Sequence, residues 1–505
     1  MPALLNAAPT RAARAAALLV VLRVVLLVVL LAATSMPALA QSAPNTPVAA
    51  GDAWQTRIGE RALAADPARA AALAERRRAT DGLTGFLRQP DPWPAIRQAR
   101  IARLLPDAMR RADVDAWVVL TRENANDPLA AHVGGENAGG AAAVLFLRVG
   151  DGVRSLAISP VGEAMALADL AIHDSVHAIP RGADVYAEVA RTLTAADPAR
   201  IAINVSERRA AADGLSSTQR AALEAALGAQ LAARLVSSED LVAEWLSVKL
   251  PDEVAILREA ARLTEALELE AYAAVVPGLT RDADVARYLK ARMRDLGVGD
   301  GWSPSQNPNV VSGADRGHSH ATDRVITGGD VIQTDFGIKV FGTWVTDIQR
   351  FAYVLRPGEQ APPAEMERRW QAGRRGNRAA FAAMRPGATG SDVDGAQRAT
   401  MREDGSLPVM WSTGHPVGYW AHDVGPALRS SVAAAGLREV ERVLREGQVF
   451  AFDGFHSWAY PEGGAGATKT ISVEEMVVIT PEGAEYLVAP QEELVVIGAA
   501  RVGAE

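Results

Sequence analysis

Apolar and polar positions along this chain fall into two periods, and stretches of the two kinds alternate. Short apolar runs at 116–120, 141–147, 153–159 and 200–205 have the length of strands. Helical segments at 161–171 and 185–193 lie among them, and a helix at 96–112, started or bent at Pro106, precedes them. Strands alternating with helices predict an α/β layer. Farther on, Pro251-Asp252-Glu253 opens a long helix with acids in its first turn, where the helix dipole favours them. Ile256, Ala260, Leu263, Leu267 and Ala271 give that helix a buried stripe, and Pro277-Gly278 stops it. Helices at 280–296, 363–383 and 389–402, with strands at 448–453, 470–480 and 485–489, predict an α+β domain.

One stretch of that domain breaks its own pattern. Residues 332–348 read as a hairpin turning at Phe341 and Gly342, with Ile332, Phe336, Ile338 and Val340 on one face of the first arm and Trp344 and Ile348 on one face of the second. Asp335 and Asp347 occupy the other face, and folding the arms about the turn is expected to set them directly opposite one another. Two carboxylates that close repel, and Asp is a poor strand former. Either a divalent cation lies between them or both face water.

Composition narrows the classes. The 505 residues suggest two or three domains, and 49% hydrophobic with 22% charged residues is ordinary for a globular protein. Removing the three arginines of residues 1–40 takes the net charge from −8 to −11, which argues against nucleic acid as the main partner. Those forty residues have an Arg-bearing start, an apolar run over 24–33, and Ala38-Leu39-Ala40 before Gln41, the layout of a cleaved secretory signal. The expectation is a periplasmic or secreted protein without stable membrane insertion. The alternative, an N-terminal membrane anchor, would place Arg23 mid-membrane at roughly 2.5–3.5 kcal/mol. With no cysteine, disulfides, thiol nucleophiles and thiolate ligands are excluded. The expected units are a signal peptide at 1–40, a partly helical extension at 41–95, an α/β domain at 96–240 and the α+β domain at 241–505.

Five of the eight histidines fall in the last unit. His318 and His320 lie just ahead of the hairpin, and His415 and His422 lie in a Gly- and Pro-rich segment, 414–426, that can be neither continuous helix nor central strand. His132, His173 and His177 are scattered and read as surface or core histidines. Asp453 and Glu474 interrupt apolar strands, whereas the adjacent Glu475 is expected to face outward. Asp335, Asp347, His415, Asp453 and Glu474 make four carboxylates and an imidazole, a set that suits manganese, cobalt, zinc or iron. Four carboxylates overcharge one ion but suit a pair, which can activate a shared water for hydrolysis of an amide-type bond. A Ser-His-Asp site and a glycine-rich phosphate loop are not recognisable.

At these residues the chain resembles the pita-bread metallopeptidases, which include aminopeptidase P, prolidase and methionine aminopeptidase, with creatinase as a metal-free relative. Asp335-Phe336-Gly337, 346–350, His415 with His422-Asp423, and Glu474 carry the likeness, which runs over about 96–489. It implies a C-terminal pita-bread (creatinase/aminopeptidase) catalytic domain after a smaller α/β creatinase-type N-terminal domain. It further implies two divalent ions, manganese foremost, with Asp335 and Asp347 holding one, Asp347 or its neighbours bridging, His415 holding the other, and Glu474 bridging both. Asp453 would be a ligand, Asp453 or Glu474 would handle the nucleophile's proton, and His318 and His422 would steady the substrate and the oxyanion. The implied reaction is hydrolysis at Xaa-Pro in a peptide substrate by a hydroxide shared between the ions, in an enzyme that self-associates as a homo-oligomer. The runner-up is a metal-free C–N hydrolase of the creatinase kind; a third reading is a catalytically weakened binding protein.

The chain departs from the family at four points. Its two hairpin Asp are one residue further apart, Asp453 replaces a Glu, Trp411 replaces a His, and Ser472 replaces an Arg. These changes bear on proline-side specificity more than on metal binding. His320 and His456 are the available substitutes.

Overall fold

The computed structural model describes residues 66–317, 319–430 and 442–498; the expected signal segment, residues 41–65 of the expected extension and His318 lie outside them. Among the described residues no helix is long and apolar enough to cross a membrane. The first sheet is built from β1 (Ala116–Thr121), β2 (Ala142–Val149), β3 (Gly152–Pro160), β4 (Ser175–Ile179), β5 (Ile201–Ile203) and β6 (Leu235–Ser237), in the order β4-β3-β2-β1-β5-β6. β1 is buried throughout, with Trp117 and Val119 in one apolar cluster and Val118 and Leu120 in another. Burial of both faces explains a continuous apolar run in place of alternation. Two elements escape the hydrophobic pattern. Of β4, an edge strand, only Ile179 is buried. The helix Ser217–Ala232 starts at a Ser216–Gln219 capping box, a polar signal. Pro106 lies in the first turn of a separate short helix, Leu105–Arg111, after the helix Trp93–Arg103 ends.

The second part begins at the helix Pro251–Ala273. It carries β7 (Gly299–Asp300), β8 (Asn309–Val311), β9 (Val331–Phe336), β10 (Ile338–Val340), β11 (Trp344–Val345), β12 (Ile348–Val354), β13 (Gly414–Pro416), β14 (Val449–Ala459), β15 (Thr468–Thr480), β16 (Gly483–Tyr486) and β17 (Val495–Ile497). The main sheet runs β13-β14-β15-β12-β9-β8, with β16 beside β15 and β17 beside β12; β11-β10-β7 forms a small second sheet.

The hairpin corrects one expectation. Gln349, not Asp347, stands opposite Asp335, and Ile348 stands opposite Phe336. The turn takes in Thr343 as well as Phe341 and Gly342, because Val340 pairs with Trp344. Phe341 and Gly342 are both left-handed there, with φ of 49° and 64°. This shifts the partner by two residues, which preserves the face, so Asp347 is a diagonal neighbour of Asp335 on the same side. The ladder is also interrupted at Gly337, whose N–H donates to Asn307 Oδ1 (3.1 Å) and whose carbonyl accepts from Asn307 Nδ2 (2.8 Å). A Cβ at Gly337 would lie 2.0 Å from the Thr346 carbonyl oxygen, so the approach that presents Asp347 requires glycine.

Candidate metal centre

Antiparallel register aligns five polar side chains across the main sheet. Asn309 on β8 faces Asp335 on β9, Asp335 faces Gln349 on β12, Gln349 faces Glu474 on β15, and Glu474 faces Asp453 on β14. Directly opposed residues share a face, so this is one polar row, and every member is buried. His415 on β13 is opposite Ala451, two residues from Asp453, and therefore joins the same side. Asp347 enters from the break between β11 and β12.

The five expected ligands converge on one cavity of about 890 Å³, which His422 also lines. Asp347, His415 and Glu474 each offer a ligand atom within 4.8 Å of the others. His415 Nε2 is 3.8 Å from Asp347 Oδ2 and 3.7 Å from Glu474 Oε1. Its Nδ1 lies 3.3 Å from the Pro416 carbonyl oxygen, an acceptor, and its Nε2 is on the side of the acids. The His422 ring is 4.2 Å from that of His415, centroid to centroid.

Burial, and then the charges of Glu474 and Asp335, push the Asp347 and Asp453 carboxyls well above the usual carboxylate range. Asp347 Oδ1 is buried without a hydrogen-bond partner. Such a group costs free energy unless a cation meets it, so these residues fit divalent metal.

Several supporting residues were not expected. Gln333 Nε2 donates to Gln349 Oε1 (2.7 Å), Ser472 Oγ donates to the same oxygen (2.6 Å), and Gln349 Nε2 reaches Asp453 Oδ1 (3.4 Å). The two glutamines were visible as polar interruptions of apolar strands, the signal that singled out Asp335. Glu475 is not outward-facing as expected. Helices cover the rear of the sheet, and Glu475 is fully buried there, 3.1 Å from Arg350 and 3.6 Å from Arg374. Arg350 also donates to the carbonyls of Gln349 (3.1 Å) and Glu474 (3.2 Å), pinning two members of the row from behind. His456 is out of phase with Asp453 on β14 and does not line the cavity; His320 is exposed and does not line it either.

The loop bearing His422 rests on buried charge. Asp423 accepts from Lys249 Nζ (3.0 Å), Tyr419 N (2.9 Å) and Val424 N (2.7 Å). Lys249 Nζ sits 4.4 Å from the Tyr419 ring centre, Tyr419 hydroxyl donates to Glu253, and Glu253 pairs with Arg100 at 2.6 Å. Nothing in the segment 248–251 marks Lys249 as part of a site.

Comparison with known proteins agrees with this geometry. Residues 255–481 match metallopeptidase family M24. An uncharacterized peptidase, YqhT, of Bacillus subtilis is 27% identical over 270 residues, 52% of this chain and 69% of that protein. The probable dipeptidase PepE of Mycobacterium tuberculosis is 28% identical over 266 residues, 52% of this chain and 64% of its own length. In fold, the chain is similar to an Xaa-Pro dipeptidase from Bacillus anthracis, with a TM-score of 0.59 and 21% identity over 80% of this chain and all of that one. Through residues 255–481 the chain is similar to metallopeptidase family M24, and its fold places a pita-bread domain after a smaller α/β N-terminal domain.

Proposed function

We propose that the protein hydrolyses an Xaa-Pro bond near the N-terminus of a peptide with the help of two divalent ions, manganese foremost. The observation that carries this reading is the convergence of four carboxylates and His415 on one cavity, with Asp347 Oδ1 left unpartnered. Asp335 and Asp347 would hold one ion, His415 and Asp453 the other, with Glu474 shared. Such a pair supplies Lewis acidity and a water nucleophile that ionises near neutral pH. Asp453, held by Gln349 at the end of the polar row, takes the nucleophile's proton and passes it to the leaving amine. His422 donates to the oxygen that gains charge as the scissile carbonyl is attacked. Trp411 and Phe455, whose ring centres are 6.2 Å apart, give the proline ring an apolar wall. His318, outside the described residues, would orient the leaving residue. The names of the relatives, dipeptidase and Xaa-Pro dipeptidase, support the substrate class, and the leader-like residues 1–40 support a periplasmic site of action.

Metal content of the purified protein, measured together with turnover of Xaa-Pro and Xaa-Ala dipeptides after addition of manganese, cobalt or zinc, tests the proposal. Stoichiometric metal and metal-dependent cleavage selective for Xaa-Pro are expected. Metal-independent cleavage of a C–N bond would favour the creatinase-like alternative, and bound metal without turnover would favour a binding protein.

A further inference from the structure

The candidate ligands belong to two groups of strands that meet along one seam. Asp335 on β9 and Asp347 just before β12 lie on one side of it, and Glu474 on β15, Asp453 on β14 and His415 on β13 lie on the other. Among the described residues, β12 and β15 share one opposed pair, Gln349 with Glu474, whereas β14 and β15 are paired continuously from Val449 to Ala459. Ligand atoms of Asp347 and Glu474 nevertheless lie within 4.8 Å of one another across this seam.

Past Gln349 the seam opens. There β12 leaves β15 for β17, with Ala352, Tyr353 and Val354 beside Val495, Val496 and Ile497. Phe351 stands at the fork, and a side chain takes its backbone groups: Phe351 N donates to Gln491 Oε1 (2.9 Å), and Gln491 Nε2 donates to the Phe351 carbonyl (2.7 Å). A buried primary amide thus does what an opposed residue of a strand does when it exchanges both bonds. Gln491 is tied to the other side as well, because its own N–H donates to Glu475 Oε1 (2.8 Å) on β15. The next residue is clamped from the helix Ala364–Ala383, where Arg374 meets Glu492 at 2.7 Å and Trp370 Nε1 donates to the Glu492 carbonyl (3.0 Å). Gln491 is therefore a fixed wedge.

We infer that Gln491 is a positioning residue that sets the width of the seam between β12 and β15, and with it the separation of the two ions that the ligand groups on either side hold. This rests on the two-ion reading above and adds to it what spaces the ions. Without the amide, Phe351 N–H and C=O would be stranded between two strands, and the seam would have to move to satisfy them. A site of this kind tolerates little play, since its groups must be held within about 0.5 Å of their working places. Gln491 lies beyond residue 481, where the family match ends, so the spacing depends on a segment outside that match.

The test titrates manganese into the metal-free full-length protein and its Gln491→Met, Gln491→Glu and Gln448→Met variants by calorimetry. Electron paramagnetic resonance reads the coupling between the ions, and urea midpoints read stability. Gln448 is the control, a buried glutamine away from the seam whose side chain accepts from Arg445 N (2.8 Å) and donates to Ser247 Oγ (3.1 Å). Gln491→Met should weaken manganese binding by roughly ten- to a hundredfold and turn the coupled spectrum into that of separate ions. Gln491→Glu keeps the acceptor for Phe351 N–H but loses the donor, and should fall between. Gln448→Met should bind as wild type does, whatever it loses in stability. Wild-type affinity and coupling in the Gln491 variants, or an equal loss of affinity in Gln448→Met, would overturn the inference. If Gln491→Met does not fold, Gln491→Glu decides by the same comparison. A single ion on the wild-type protein refutes the two-ion reading alone. Gln491 is then judged by affinity for that ion, since Asp347 and Glu474 still meet across the seam: a loss confined to its variants upholds the positioning role, and no loss overturns it. No manganese on the wild-type protein overturns both.

Discussion

Replacing Lys249 by Met tests whether the His422 loop is held by buried charge. The Lys249 and Asp423 side chains are 1% and 0% exposed, so removing the ammonium leaves a buried carboxylate facing only the N–H groups of Tyr419 and Val424. Breaking one side of a buried pair costs about 3–5 kcal/mol, against about 0–1 kcal/mol for a pair in water. Because Asp423 follows His422 directly, a loop shift of about 1 Å should also lower turnover on the order of a hundredfold. Urea-unfolding midpoints of wild type, Lys249→Met, Asp423→Asn and the double variant form a cycle. The double variant should be more stable than the two single losses add up to, since Asn removes the stranded charge. Additive losses, or a Lys249→Met protein within about 1 kcal/mol of wild type with full turnover, would refute the reasoning.

Other expectations are as concrete. Asp453→Glu restores about 1.5 Å of reach and should raise kcat by up to about a hundredfold; an unchanged kcat would place the limitation elsewhere. Asp347→Asn and His415→Ala should each weaken manganese binding by more than the ten- to hundredfold typical of supporting residues, as read by calorimetry. Since burial and Glu474 raise the Asp347 and Asp453 carboxyls, metal must displace protons, and its affinity should strengthen as pH rises. By the same sign, their contribution to the stability of the metal-free protein is full below an unfolded carboxyl value of about 3.9 and falls as pH rises through the elevated folded values. Melting curves of metal-free and metal-loaded protein across that range should diverge with pH, and parallel curves would contradict it. Gly337→Ala, with its Cβ 2.0 Å from the Thr346 carbonyl oxygen, should cost upward of about 2 kcal/mol and weaken metal binding with it; a melt and titration like those of wild type would show that the backbone can yield.

What could be read from the sequence follows from how local each signal is. Asp335, Asp347, His415, Asp453 and Glu474 stand out because each puts charge or glycine-rich turn chemistry into an apolar context, and the fold brings all five together. The hairpin register was misjudged by two residues because it depends on whether Thr343 belongs to the turn, which no side-chain pattern reveals. Glu475 looked like surface, since its partners Arg350 and Arg374 lie 125 and 101 positions away in the chain. Lys249 owes its role to tertiary packing and so left no local trace.

The family match begins at residue 255, yet Lys249 and Glu253, which carry the His422 loop, lie just before it, and Arg100, which neutralises Glu253, lies 153 positions earlier still. Trp93, from that same early helix, packs edge-on against Trp344 and Tyr419. The leading third of the protein is therefore no exchangeable module in front of a self-sufficient catalyst. Recombination that swapped it between relatives would have to carry Arg100 and Trp93 along, or strand an acid beneath the reaction centre.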